Sequence, residues 1–428
     1  MKKTERDFII RLIKREVVPA IGCTEPIAVA LCVSKAARLL GKEPEKIKVL
    51  LSANILKNAM GVGIPGTGMI GLPIAVALGA LAGNPDYQLE VLKDITSDDV
   101  ERGKQVIAEN RIDIQLKENI AEKLYIEVIM SAGPDETTAI ISGGHTCFVY
   151  EARNGNVLLD ERISAVAEES EEDGSLSLRK VYDFALTAPL EEIDFILDSA
   201  RLNKAAAEAS FKGDYGHSLG KSLRNDNERR VMGDSVFTRI LSYTSGACDA
   251  RMAGAMIPVM SNSGSGNQGI AATLPVVVYA EENQKSREEM IRALVLSHLT
   301  VIYIKHSLGR LSALCGCVVA ATGSSCGITY LMGGGYEEMT YVVKNMVANL
   351  TGMICDGAKP SCAMKLTSGV STAVFSAMLA MEHKCVTAVE GIIENDVDRT
   401  IHNLTRIGAQ GMNETDRLVL DIMTHKCP

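Results

Sequence analysis

Residues 125–151 read YIEVIMSAGPDETTAIISGGHTCFVYE. The runs 125–130, 136–142 and 146–151 are rich in β-branched and aromatic residues. The turn formers Ala132-Gly133-Pro134-Asp135 and Ser142-Gly143-Gly144 separate them. That pattern predicts three strands. Upstream, the alternation over 111–116 predicts another strand, and 96–110 a helix capped by Thr96 or Ser97. Residues 87–95 read as a further strand. Downstream, Asn154-Gly155-Asn156 is a turn signal, and the acidic run 168–174 is expected to be a solvated linker. Residues 86–176 are thus expected to form a small α+β domain.

The flanking sequence has a different period. Residues 15–85 are mostly helical in pattern, with one strand candidate at 46–53. Pro26 stands just inside a helix expected to start near Thr24, and the Ala- and Leu-rich run 27–40 stops before Gly41. From 177 onward the pattern is helical, interrupted by Gly/Ser loops. The expected fold class is α+β: a predominantly helical catalytic domain from 1–85 and 177–428, with the 86–176 domain inserted in the N-terminal half.

Composition narrows the function. The 428 residues carry a net charge of -9, 4% aromatics and no Trp. A basic nucleic-acid face and aromatic stacking platforms are both excluded as expectations. Residues 1–14 form an amphipathic pattern rather than an apolar targeting core, so a cytoplasmic protein is expected. Residues 58–85, 252–280 and 311–336 lack Asp, Glu, Lys and Arg, and each is long enough for a membrane helix. Their Gly, Ser, Asn and Pro clusters, and the charged segments between them, favour buried helices and loops over a transporter. No membrane and no nucleic-acid partner are expected. A small-molecule substrate is, with a homodimer as the base-rate oligomer.

The chain holds 11 cysteines without a disulfide pattern, which points to metal binding or thiol chemistry. Cys23, in Gly22-Cys23-Thr24-Glu25-Pro26, stands at a helix start. The positive dipole end there is expected to lower its pKa, and the competing reading is a small buried Cys. Cys315, Cys317 and Cys326 fall in 311–336, and Cys355 and Cys362 flank a tight loop with Lys359 and, just beyond it, Lys365. There is no CxxC, so a zinc finger does not fit. A site using Cys355, Cys362 and one upstream cysteine does. Cys32, Cys147, Cys248, Cys385 and Cys427 are expected to be structural. Gly61-Val62-Gly63-Ile64-Pro65-Gly66 and Gly264-Ser265-Gly266-Asn267-Gln268-Gly269 both match G-x-G-x-x-G. Neither has the strand-before, helix-after setting of a dinucleotide site, the strand-like run 276–279 following the second loop. The second, with Ser261, Asn262, Ser263, Ser265 and Asn267, is suited to hold a small carboxylate.

Taken together, Gly22-Cys23-Thr24-Glu25-Pro26, Asn262-Ser263-Gly264-Ser265-Gly266-Asn267-Gln268-Gly269, Cys315-Gly316-Cys317, the 355–362 loop and Glu390-Gly391-Ile392-Ile393 resemble the iron–sulfur-dependent L-cysteine desulfidases, related to the alpha-type L-serine dehydratases. The resemblance implies a 4Fe–4S cluster held by three cysteines. Its ligand spacing of about forty residues and then a few carries over to Cys315, Cys355 and Cys362 (355 − 315 = 40; 362 − 355 = 7). Cys317 and Cys326 stand as rivals for the first ligand. Cys23 matches the family cysteine suggested as base or as displaceable fourth ligand. Ser142-Gly143-Gly144-His145-Thr146 is similar to a His-Thr loop of the serine dehydratases, though its Gly pair departs from it. The implied reaction takes L-cysteine to pyruvate, ammonia and hydrogen sulfide, with Glu25 on the substrate amine. L-serine dehydration is the alternative. A thiol-rich binding protein or transporter without catalysis is the reading from a different class.

Overall fold

A computed structural model describes residues 1–120, 122–162, 176–225, 231–309 and 311–426. The expected linker 168–174 and Cys427 lie outside the described residues. In chain order the first half comprises α1 (Lys3–Glu16), β1 (Pro19–Ile21), α2 (Thr24–Leu40), β2 (Lys46–Leu51), α3 (Ala53–Ala59), α4 (Leu72–Leu81) and α5 (Ser97–Ala108), then β3 (Ile112–Leu116), β4 (Tyr125–Ala132), β5 (Asp135–Ser142), β6 (Phe148–Arg153) and β7 (Asn156–Asp160). The second half comprises α6 (Leu178–Thr187), α7 (Leu197–Ser210), α8 (Val236–Met252), β8 (Pro258–Met260), α9 (Gly266–Glu282), α10 (Arg287–Leu308), α11 (Gly316–Leu331), α12 (Tyr336–Leu350), α13 (Cys362–Met381), α14 (Val397–Arg406) and α15 (Asn413–His425). The class is the expected one: α+β and mostly helical.

The sheet has the strand order β3-β2-β4-β5-β6-β7. β2 runs parallel to β3 and antiparallel to β4, with Val49 opposite Val128. In β2 alternate residues Ile47, Val49 and Leu51 are buried while Lys46 and Lys48 face out, the period-2 pattern of a one-sided sheet. That buried face packs against α2, and α4 covers α2 in turn. Ile27, Leu31, Val49, Ile74, Val128 and Ile141 share this core. β2 and most of α2 to α4, expected in the helical domain, belong with the sheet. The local pattern of β2 identifies a strand but not its neighbours, because those pair from across a long sequence separation.

Other local readings were met or displaced for identifiable reasons. Thr96 caps α5 in a capping box with Asp99, as the sequence predicts. The expected strand at 87–95 is instead a 3₁₀ turn, Pro85–Glu90. There Asn84 accepts from the Asp86 N–H and Pro85 presets the backbone, so turn chemistry outweighs apolar patterning. The strand-like run 276–279 lies inside α9, buried on all sides among helices, where a β-branched run carries no periodic signal. β7 went unforeseen because its exposed edge position removes the alternation.

The remaining helices surround α11, whose residues from Cys317 to Thr329 are all buried. The uncharged stretch 311–336 is the centre of this core. Stretch 58–85 divides into a turn and α4, and stretch 252–280 into β8 and α9. Among the described residues, α13 is the one helix long and apolar enough to cross a bilayer, and half of it is buried in the fold.

Candidate active site

A two-residue-apart pairing sets the site. β1 lies antiparallel to β8, with Ala20 opposite Val259, so the chain leaving β1 enters α2 beside the chain leaving β8 for α9. α2 starts at Thr24 as expected, with Cys23 as its N-cap residue, whose side chain makes no cap bond. Its thiol instead donates to Glu25 Oε2 at 3.0 Å. Thr24 Oγ1 lies 2.7 Å from the Gly264 carbonyl and 2.9 Å from Glu25 Oε2. Asn58 Nδ2 donates to Glu25 Oε1 at 3.0 Å. Burial opposes charge on Glu25, but the neighbouring His145 charge and the Cys23 and Thr24 hydrogen bonds outweigh it and hold the carboxyl below its ordinary value. Cys23 moves the other way. Burial first, then the Glu25 charge, push its thiol well up, against a smaller lowering by Arg251. The expected thiolate-favouring helix end is thus overridden, and Cys23 rests as a thiol. His145 sits buried beside this pair despite its weak motif.

The polar loop after β8 is largely occupied with its own construction. Ser261 Oγ donates to the Val18 carbonyl at 2.6 Å, and Ser263 Oγ to Asn262 Oδ1 at 2.8 Å. Asn262 Nδ2 reaches His298 Nδ1 at 3.0 Å. Burial drives the His298 pKa down to about 3, so the ring is neutral and accepts there while its other nitrogen faces Thr273 Oγ1 at 3.0 Å. Ser265 caps α9. Asn267 Oδ1 accepts from Arg251 Nη1 at 2.9 Å. Side chains that the sequence marks as carboxylate holders are therefore already engaged with the surrounding fold.

Two residues that sequence reading passed over are less fully satisfied. Arg251 and Gln268 are each 3% exposed, yet Arg251 Nη2 and Gln268 Oε1 have no hydrogen-bond partner among the described residues. The available signal for Arg251 was its place as the last charge before the uncharged stretch 252–280.

The cysteines form the opposite wall. A bridge between Leu314 and Ile354 draws the start of α11 to the 355–362 loop. Cys315 N donates to the Met353 carbonyl at 2.9 Å, and Cys355 N to the Ala313 carbonyl at 2.7 Å. Cys362 opens α13. Burial, then the charges of Cys355 and Cys362, push the Cys315 thiol up to about 12. Cys355, Cys362 and Cys315 thus lie within one another's field, and all three are half-buried. Lys359 and Lys365 both pair with Asp356 inside this loop. Although burial works against it, those two partners bring the Asp356 carboxyl down to about 2. Cys317 also feels Cys315 and Cys362, and its thiol donates to the Lys365 carbonyl at 3.1 Å. Cys248, expected to be isolated, feels both Cys362 and Cys317. Cys326 lies about 16 Å along α11 from Cys315 by helical rise and bonds to Thr300 and Ser325. Among the described residues no three Cys, His, Asp or Glu side chains converge on a single ion's position. Ligands of a cubane differ from that case, since each thiolate binds a separate corner.

α2, α9, α11 and α13 all begin around this one region, so their positive ends face it together. The family described as serine dehydratase alpha chain matches residues 86–421, a span that includes the cysteine wall but not Cys23 and Glu25. A UPF0597 protein of Bacteroides fragilis is 75% identical over 426 residues, covering 100% of each chain. One from Bacteroides thetaiotaomicron is 74% identical over 426 residues, covering 100% of this chain and 99% of its own. One from Aeromonas hydrophila is 44% identical over 429 residues, covering 100% of this chain and 98% of its own.

Proposed function

We propose that this chain, which belongs to the serine dehydratase alpha chain family, is a lyase that converts L-cysteine to pyruvate, ammonia and hydrogen sulfide. The observation that carries the reading is the meeting of a buried thiol–carboxylate pair, Cys23 and Glu25, with a wall of three neighbouring cysteines across several helix starts. Soft thiol donors at Cys315, Cys355 and Cys362 suit iron–sulfur ligation, and Lys359 and Lys365 offset its negative charge. A 4Fe–4S cluster held by those three would supply an iron lacking a protein ligand, a Lewis acid for the leaving sulfur.

The protein's own part is proton handling and placement. Glu25 is ionised and faces the site, so it suits the substrate ammonium. A cation bound there offsets the Glu25 charge, which adds to burial in keeping Cys23 protonated, so the thiol can hand its proton to Glu25 Oε2 and the thiolate can take the Cα proton. Loss of that proton and of sulfide leaves aminoacrylate, and water then converts it to pyruvate and ammonium. The loop 261–267 fixes the approach, with Ser261, Asn262, Ser263, Ser265 and Asn267 shaping its backbone. An oxygen-labile cofactor of this kind suits a reducing cytoplasm.

L-serine is the second reading, favoured by the family's name, and it differs only in the leaving group. Anaerobic loading with iron and sulfide, followed by measurement of sulfide, ammonia and pyruvate from each amino acid, tests both. Equal pyruvate and sulfide from L-cysteine at the higher kcat/KM is the expected result. Turnover of L-serine alone would move the assignment to dehydration, and turnover of neither would end the lyase reading.

A further inference from the structure

Arg251 is a buried guanidinium with no ion pair among the described residues. Its Nε donates to the Gly22 carbonyl at 3.1 Å and its Nη1 to Asn267 Oδ1 at 2.9 Å. Nη2 has no partner. A side chain at 266 would place its Cβ 2.3 Å from Arg251 Nε, so the guanidinium packs against the first residue of α9 and a larger residue there would push it aside. On its other side Arg251 faces the residues that open α2. An unpaired cation between two positive helix ends is a costly arrangement in a buried site. It becomes favourable when a small anion is bound. Opposite in chemistry, Gln268 Oε1 is a buried acceptor without a partner, and its side chain lies over Gly316, next to Cys315. Nε2 of the same amide donates to the Asn262 carbonyl at 3.4 Å, which orients the free oxygen.

We propose that Arg251 is the anchor for the substrate's α-carboxylate and thereby selects α-amino acids over other small thiols and alcohols. This rests on the lyase reading for its chemical consequence, but the binding itself does not. Nη2 carries two N–H groups, enough to grip one carboxylate oxygen or share both with Nη1. Arg251 is close enough to Cys23 to lower its pKa, and Cα is one bond from the carboxylate. Anchoring there brings the carbon to be deprotonated to the thiol that takes the proton. The free acceptor on Gln268 faces the ammonium side. The loop hydroxyls and amides already engaged with the surrounding fold then serve to hold Arg251 and α9 in place.

The test compares ligands and variants of the full chain. Thermal unfolding is followed with L-serine, L-serine methyl ester and 2-aminoethanol. L-serine is expected to raise the wild-type midpoint by several degrees, and the two compounds lacking a free carboxylate to leave it unmoved. Arg251→Lys and Arg251→Gln should lose that selective shift. In the anaerobically loaded enzyme they should raise KM for L-cysteine or L-serine roughly 10- to 100-fold while cluster absorbance stays at the wild-type level. Equal stabilisation of the wild type by 2-aminoethanol and L-serine overturns the proposal, a comparison that holds even if the variants fold poorly. So does an altered cluster spectrum with unchanged L-serine binding, which would make Arg251 a cluster neighbour. Carboxylate-selective binding through Arg251 in a protein that releases neither sulfide nor pyruvate would support the anchor and remove the lyase reading.

Discussion

The two walls of the site are built in opposite ways. On the Cys23 side the functional groups are buried and mostly hydrogen-bonded, Cys23 to Glu25, Asn58 to Glu25 and Asn262 to His298, with Arg251 Nη2 and Gln268 Oε1 left over among the described residues. On the Cys315 side the three thiols are half-buried, lie in one another's field, and are ringed by lysines that pair with Asp356. The first wall is built from protein bonds except at Arg251 Nη2 and Gln268 Oε1. The second has thiols that repel one another on ionisation, an effect that Lys359 and Lys365 oppose. A hydrogen-bonded thiol–carboxylate pair thus contrasts with a cluster of neighbouring thiols.

Removing a thiol from the second wall should have the largest effect. Cys355→Ala is expected to abolish visible iron–sulfur absorbance and turnover together. The first wall should separate those readouts: Cys23→Ala keeps the absorbance and lowers kcat by about 10²-fold or more, the usual weight of a positioned base. Loss of absorbance in Cys23→Ala would instead show Cys23 to be a ligand, and the contrast between the walls would collapse.

pH should act on the second wall during loading. The Cys315 thiol is pushed up to about 12, and Cys362 is raised as well, both mainly by burial. Metal binding must displace those protons, so cluster formation should become more complete as pH rises from about 7 to about 9. Titrating reconstituted absorbance against pH checks the sign, and a flat or falling profile contradicts it.

The walls are also joined mechanically. Lys57 is 1% exposed, donates to the Cys355 carbonyl at 3.2 Å and pairs with Asp416 on α15. Lys57→Met leaves Asp416 with Asn54 but without its cation and frees the loop. Breaking such a pair costs about 3–5 kcal/mol when fully buried; with Asp416 partly exposed, a smaller fall in unfolding midpoint is expected, together with faster cluster loss.

The smallest effect concerns Asp249. Burial raises its carboxyl to about 6, against hydrogen bonds from Gly220 and Leu219 and the charge of His217. Because the folded state holds this proton more tightly than the unfolded state, its contribution to stability is full below about pH 4 and is lost by about pH 6. Asp249→Asn should therefore be more stable than the wild type at pH 7, by at most about 3 kcal/mol, with little gain at pH 4. Melting curves at the two pH values decide it.

Much of the site was readable in one dimension because its residues sit in short motifs at helix starts. Cys23 and Glu25, Ser265 and Asn267, and the 355–362 loop are each local. Arg251 was not readable, since nothing in Asp249-Ala250-Arg251-Met252 marks a ligand group until Gly22 and Asn267 are brought to it. Cys248 was hidden for the same reason. The direction of the Cys23 pKa was misread because dipole and sequence neighbours are local, while burial is not.

The sequence by itself determined the α+β class, most strands of the sheet, the cap of α5, and the residue types able to hold iron and move a proton. Those follow from period, turn chemistry and donor type, which act over a few residues. Only the tertiary structure decided that β2 joins the sheet, that Cys326 stands apart from Cys315, that Cys23 rests as a thiol, and that Arg251 lacks an anionic partner. Each of those depends on what lies across the chain within a few ångströms, where burial and charge act regardless of sequence distance.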